Sequence, residues 1–546
     1  MLASGVLSAG FLSLATLARA GAVTYNWNAT WVWASPDGFA RPVIGINGQW
    51  PCPLLNATLN DTVIVNFSNN LVNETSGLHF HGLNQLGTEE MDGPTGVTQC
   101  PVPPGSTIQY RFTVPNAGSY WYHSHDLGQY PDGLRGPLVV HDPNDPYIGQ
   151  YDEEIILGVS DCIELGRQML TPTNTHFAPP FPDALLVNDG KGADINFVKG
   201  KTYRIRMICY SALSSAFIHF EKHVMNVIMT DASYIQEQEA DMLRIAPAQR
   251  YDFLLTAGDN DSGNYPFLIS LDTNRDYTNA SLGVSFPHNY TGYLVMDSSK
   301  RLDNTLTVSK WEPYDDSKFK GKDGAGPLSP RNELVELDFK FCFDKNGDPR
   351  SCLNGLTYLT QPVPTLYTAT TTGENNTNPL IYGQVNPAIV NYGDVVQIVL
   401  NSYDEALHPF HLHGHQFQVL DRPLSGAGKW SGQDINYSSE PPSRDTVTVY
   451  ANSYVVIRFR ATNPGVWLFH CHIEWHVEMG LTATIIEAPD HLHGFTFPDE
   501  FLNICKLQNI PYEGNAAGNT DNYTDTSGFV TLAPKQYNGA LYITPS

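Results

Sequence analysis

Basic residues are scarce in this chain: 31 Lys and Arg stand against 56 Asp and Glu, a net charge of −25 over 546 residues. So acidic a surface repels phosphate backbones and argues against a nucleic-acid partner. It suits solubility in an acidic medium, and it concentrates cations around the molecule. Long apolar runs are missing too. Beyond residue 20 no stretch of about 20 apolar residues occurs, so no transmembrane helix is expected. Regularly spaced amphipathic helical patterns are also absent. What remains are short alternating runs, such as Thr62-Val63-Ile64-Val65-Asn66-Phe67 and Tyr203-Arg204-Ile205-Arg206-Met207-Ile208. Such alternation marks half-buried strands, and 45 Gly with 38 Pro supply the turns between them, so the chain reads as all-β. At one domain per roughly 150 residues, the length implies three or four cores.

The apolar, small-residue stretch from Met1 to Ala20 ends in Ala18-Arg19-Ala20 and reads as a signal peptide, although no Lys or Arg precedes its apolar run. Asn-x-Ser/Thr sequons begin at Asn28, Asn56, Asn60, Asn66, Asn73, Asn260, Asn279, Asn289, Asn375, Asn436 and Asn522. Together these predict a secreted, soluble glycoprotein, extracellular or in the cell wall, and a monomer. Of the 8 cysteines, Cys342 and Cys352 flank a turn and can close a hairpin bridge. Cys100, Cys505, Cys162 and Cys209 allow two further bridges of unspecified pairing, which leaves Cys52 alone.

The remaining cysteine, Cys471, lies in His470-Cys471-His472-Ile473-Glu474-Trp475-His476, and three other His-x-His pairs occur: His79/His81, His123/His125 and His411/His413. On a strand, residues i and i+2 point to one side about 6.7 Å apart. Each pair can therefore offer two imidazoles to adjacent metals. Eight imidazoles suit a cluster of three copper ions, which O₂ can bridge. By the same alternation Cys471 points away from His470 and His472, toward a separate metal. With His476 and His408 it matches the trigonal thiolate site of blue copper. Zinc is the rival ion, but zinc sites use four ligands and this pattern supplies eleven. The other histidines (His141, His176, His219, His223, His288, His415, His491 and His493) read as surface or locally hydrogen-bonded residues.

The segments His79-Phe80-His81-Gly82, Trp121-Tyr122-His123-Ser124-His125, His408-Pro409-Phe410-His411-Leu412-His413-Gly414 and His470 through His476 resemble the multicopper oxidases, in particular fungal laccases and ferroxidases. The likeness runs from Tyr25 to about Pro489. It implies three cupredoxin-like Greek-key β-barrel domains, expected at 21–145, 146–315 and 330–495, with 496–546 a tail packing back on the body. It implies four copper ions. His408, Cys471 and His476 would hold the type 1 ion, and His79 with His411 the type 2 ion. His81, His123, His125, His413, His470 and His472 would hold the type 3 pair. The axial position, ten residues after the cysteine, is Leu481, which cannot coordinate, so a three-coordinate type 1 site of raised potential is implied.

Reducing O₂ to water consumes protons, and Asp92 and Glu474 match acids that the family places near the cluster. Asp92 also sits in an Asp-Gly turn signal. Glu221 matches a column where ferroxidases carry an iron-binding Glu and laccases an Asp, and Asp272 aligns loosely with a second ferroxidase acid. The loop from Arg422 to Trp430 lacks an acid that ferroxidases place there, with Asp434 and Glu440 as substitutes further on. The missing acid and the lack of a C-terminal membrane segment favour a laccase-like oxidase of phenols or aromatic amines over a ferroxidase taking electrons from Fe(II). A non-enzymatic copper carrier is the remote third reading, because a carrier needs no O₂-reducing cluster.

Overall fold

Val63, Val65 and Phe67 are buried while their neighbours along Thr62–Asn69 are not. This is the pleat the alternation predicts. The computed structural model describes residues 21–126, 128–162, 182–190, 192, 194–258, 263–272, 288–300, 306–344, 347–435 and 437–532. The expected leader, His176 and the sequons at Asn260, Asn279 and Asn436 lie outside the described residues.

The described strands form six sheets, stacked as three pairs. Two four-stranded sheets use strands from Ala22–Ala34 to Arg135–His141 around a core containing Trp27, Phe67, Phe80 and Phe112. A six-stranded and a five-stranded sheet follow, from Glu153–Cys162 to Asn289–Val295, around Ile205, Phe220 and Phe253. A third body, also of six and five strands, runs from Glu333–Phe343 to Thr482–Glu487 around Ile398, Phe410 and Trp467. One pairing recurs in all three. The opening strand of each body lies parallel to a later one: Ala22–Ala29 beside Thr62–Asn69, Glu153–Val159 beside Tyr203–Cys209, and Glu333–Phe339 beside Val396–Ser402. No helix among the described residues is long and apolar enough to cross a membrane.

Two expectations change. Thr202–Cys209 is a strand, but it is buried on both faces rather than half-buried. Its polar alternates face the first body. Arg206 Nη1 donates to Ser119 Oγ (3.0 Å) and Asp252 Oδ2 (2.8 Å), and Arg204 donates to Asp252 and Asp145. The cysteines also pair differently. Cys342–Cys352 closes its hairpin and Cys100 bonds Cys505, but Cys162 and Cys209 stay reduced, as does Cys52. The parallel register sets Cys209 opposite Val159, so Cys162 lies three residues, about 10 Å, further along, beyond disulfide reach. The helix Asp499–Leu507 brings Phe501, Ile504 and Cys505 into the first core, 405 residues along the chain from Cys100.

Candidate metal centre

The first and third bodies each present one sheet to a shared seam. In the first, Leu78–His81 pairs with Gly118–Ser124, so that His79 stands opposite His123. In the third, His408–Leu412 pairs with Gly465–Cys471, with His411 opposite His470 and Phe410 opposite Cys471. Alternation then sorts the side chains. Phe410, Leu412 and Cys471 join the third core. His411, His413, His470 and His472 face the seam and meet His79, His81, His123 and His125. Ring centroids are 4.1 Å apart for His79–His413, 3.8 Å for His81–His411 and 5.3 Å for His125–His470. Ligand atoms fall within 4.8 Å of one another in His79/His81/His123, in His79/His411/His413 and in His125/His413/His470.

Six of the eight rings have a pinned outward nitrogen. Nδ1 of His79, His123, His411 and His470 lies 2.8–2.9 Å from the carbonyl oxygens of Asp92, Ser124, Asp445 and Cys471 respectively. His413 Nδ1 meets Asp92 Oδ2 at 2.8 Å. His81 is turned the other way, with Nε2 at 3.3 Å from Asp445 Oδ1. Of the inward nitrogens, Nε2 of His79, His123 and His411 and Nδ1 of His81 are buried without a hydrogen-bond partner among the described residues, while Nε2 of His413 and His470 lie 3.0 Å apart. Buried polar atoms are normally satisfied, so inward lone pairs in this number fit metal ions. Burial, then the neighbouring rings, also lowers the proton affinity of His81, His123, His125, His413, His470 and His472, that of His470 to about 3. The imidazoles are therefore neutral and ready to ligate.

On the other face of the strand, Cys471 Sγ lies 3.5 Å from His476 Nδ1 and 3.9 Å from His408 Nδ1, and these two Nδ1 atoms are 3.2 Å apart. Burial pushes the Cys471 thiol up, so a bound cation is needed to make it a thiolate. Phe341 packs edge-on against His476 and Phe339 against His408. Leu481 is buried in the same core; its carbonyl accepts from Cys471 N–H (3.1 Å) and its N–H donates to His476 O (2.9 Å).

Two aspartates staple the seam. Asp92 serves His79 and His413, and Asp445 serves His81 and His411, so each holds one ring from each body. Gly93 fixes the first: at φ +97° its backbone passes so close to Leu78 that a Cβ would sit 1.8 Å from Leu78 O. Asp445 carried no signal in the sequence, because its role depends on Thr446 pairing with His411. A third carboxylate, Asp404, places Oδ2 at 2.9 Å from His408 Nε2, with its side chain 21% exposed. Its signal was local: Asp404 stands four residues before a ligand, in the turn that leads to the strand. Glu474 is half-buried at the start of the helix Glu474–Glu478, beside a cavity of about 50 Å³ that it lines with His123, His125, His470 and His472. Desolvation pushes its carboxyl up to about 8.

The other expected acids lie elsewhere. Glu221 occupies the turn after Ala216–Phe220, where its N–H donates to Pro266 O; among the described residues its carboxylate makes no hydrogen bond or ion pair with His408 or His476. Asp272 is buried against Arg244 at 2.9 Å. Asp434 is held by Arg458 and Arg331, and Glu440 by Lys320. Asp272, Asp434 and Glu440 are each held by a cation of their own neighbourhood. Of the remaining histidines, His415 is not on the surface but buried against Glu487 at 2.9 Å.

Family models described as multicopper oxidase match residues 28–145, 160–291 and 358–491. The iron transport multicopper oxidase fetC of Epichloe festucae is 45% identical over 524 residues, 94% of this chain and 84% of that protein. The iron transport multicopper oxidase FET3 of Gibberella zeae is 42% identical, over 96% and 85%. Among solved structures, Fet3p, a multicopper oxidase that functions in iron import, superposes with a TM-score of 0.86 at 34% identity, covering 92% of this chain and 98% of that one. The laccase from Botrytis aclada gives 0.75 at 27%, covering 90% and 92%. These relatives confirm the all-β, cupredoxin-like fold. They overturn the expectation of a phenol- and aromatic-amine-oxidising laccase: the iron-transport proteins are more similar than the laccase in both sequence and structure.

Proposed function

This chain belongs to the multicopper oxidase family, and from that premise we propose that it is a ferroxidase, taking one electron from each Fe(II) and passing four to O₂, which with four protons leaves as two waters. Four copper ions fit the donor set. His408, Cys471 and His476 would hold one. As the family resemblance implies, His79 and His411 would hold a second, and His81, His123, His125, His413, His470 and His472 a pair. Copper at these places would supply a one-electron couple beside the cysteine and a multi-electron centre among the imidazoles. Leu481 leaves the cysteine site with three protein ligands.

The observation that carries the ferroxidase reading is the carboxylate of Asp404. His408, against the opposing effect of burial, holds its carboxyl below the usual carboxylate range, so it is ionised. Oδ2 accepts from His408 Nε2–H and Ala406 N–H, which leaves Oδ1 for a hard cation. An Fe(II) bound there lies one imidazole away from the cysteine site. From Cys471 the backbone leads directly to His470 and His472. The names of the relatives support the same substrate. At the far end, Glu474, protonated at neutral pH, can release a proton beside the cavity where O₂ fits, and Asp92 fixes His79 and His413. The two disulfides support work in an oxidising, extracytosolic compartment. We place the domains at 21–145, 146–315 and 330–495, which enclose the three family matches.

The test is steady-state oxygen uptake with Fe(II) against 2,6-dimethoxyphenol. Fe(II) should give the higher kcat/KM. Asp404→Ala removes a charged contact worth about 1.5–3 kcal/mol, so iron turnover should fall about 10- to 100-fold, with phenol oxidation changed far less. Equal losses on both donors, or none on iron, would sink the reading.

A further inference from the structure

The middle body supplies none of the eleven candidate ligands, yet one of its side chains reaches the seam. Arg250 opens the strand Arg250–Thr256, and it is fully buried. Its guanidinium forks onto Asp445, Nη1 to Oδ1 at 2.7 Å and Nη2 to Oδ2 at 2.6 Å. Its Nε donates to Ser119 O of the first body at 2.9 Å. The fork is continued by alternating charges. Asp231 accepts from Arg250 N–H and from Arg444 Nε, both at 2.8 Å, and Arg444 reaches Asp316 at 2.6 Å. Side chains of all three bodies thus meet at one carboxylate.

That carboxylate sets the ring that is turned the other way. A hydrogen bond on one imidazole nitrogen decides which nitrogen keeps a lone pair. Oδ1 of Asp445 at His81 Nε2 puts the proton on Nε2 and leaves Nδ1 facing the seam. The same residue's carbonyl takes the Nδ1 proton of His411. The plane of Asp445 is fixed by the Arg250 fork, with Gln416 Nε2 (3.0 Å) and Thr446 Oγ1 (2.9 Å) on its flanks. Burial opposes charge on Asp445, but Arg250 outweighs it and holds the carboxyl well below the usual range. Gly82, next to His81, gives independent evidence of how closely the pair is packed. At φ +90°, a Cβ there would lie 2.5 Å from Arg250 Nη2 and 2.7 Å from Asp445 Oδ2.

We propose that Arg250 is a positioning residue of the metal centre: by forking Asp445 it fixes the tautomer of His81 and the aim of His411, so that copper loading at the seam depends on the docking of a body that binds no copper. The inference rests on His81 and His411 being copper ligands.

The experiment compares copper content, the blue absorbance and the type 2 electron paramagnetic resonance of the copper-loaded wild type with those of Arg250→Ala and Arg250→Lys. Arg250→Ala should keep the blue band and lose most of the type 2 signal. Its kcat for iron should fall about tenfold or more with KM little changed, as for other outer partners of metal-bound histidines. Added guanidinium should restore the signal. Arg250→Lys keeps the charge without the fork and should show an altered type 2 hyperfine pattern. A type 2 signal in Arg250→Ala equal to wild type, or unmoved by guanidinium after its loss, would overturn the proposal. If Arg250→Ala does not accumulate, an unaltered type 2 pattern in Arg250→Lys overturns it instead. Absence of any type 2 signal in the wild type would strike the ligand assignment, a separate failure.

Discussion

Cys471→Ser should yield a colourless protein whose iron-dependent oxygen uptake is lower by about 10³-fold or more, a barrier increase of about 4 kcal/mol. Serine nearly conserves volume in a fully buried position, so the fold should survive. What changes is the donor: an alcohol replaces the one soft anion between His408 and His476. The neighbouring rings are unaffected, because His470 and His472 occupy the opposite face of the strand and His470 Nδ1 keeps its bond to the Cys471 carbonyl, which serine retains. Type 2 resonance should therefore persist while the blue band disappears. Absorbance and resonance spectra on one copper-loaded sample separate the two effects. Joint loss of both signals would mean that the two sites are not independent.

The second large effect concerns the oxidising half of the cycle. Glu474→Gln should slow the return of blue colour after reduced enzyme meets O₂ by about 10²-fold, the contribution of a well-placed general acid. Anaerobic bleaching by Fe(II) should keep its wild-type rate, since Asp404 and His408 are untouched. Stopped-flow mixing in the two directions distinguishes these steps, and equal slowing in both would count against a proton role. The stability consequence has a definite sign. Burial raises the carboxyl from 4.5 to about 8, so the folded state binds the proton more tightly than the unfolded chain. This stabilisation is complete below about 4.5 and is lost as pH rises through 8. Denaturant titrations of Glu474→Gln should show a flatter decline across that window.

Much of the arrangement of the candidate ligands was legible because one rule, side-chain alternation on a strand, governs it. His79/His81 and His411/His413 meet as i, i+2 pairs, and Cys471 points away from His470 and His472 for the same reason. What the sequence could not show involves partners distant along the chain. Arg250 and Asp445 are 195 residues apart and belong to different bodies. Nothing local to either distinguishes them from surface charges. Arg204 and Arg206 escaped notice in the same way: their polar alternation looked like a solvent face, but both are buried against Asp252 of the neighbouring strand, and Arg206 reaches Ser119 of the first body. For Glu221 a column match fixes a position in the chain, here the turn after Ala216–Phe220, without fixing where its carboxylate goes. The threefold recurrence of parallel strand pairing left no trace in composition, since hydrogen-bond partners, and not residue types, define it.

The bridge from Cys100 to Cys505 makes most of the polypeptide a covalent ring. A protease that cuts once anywhere between those cysteines opens the ring without releasing a fragment. The nicked enzyme should migrate as intact on a denaturing gel until a thiol is added, and only then split in two. Loss of activity on digestion and loss of apparent mass are therefore separate events for this molecule.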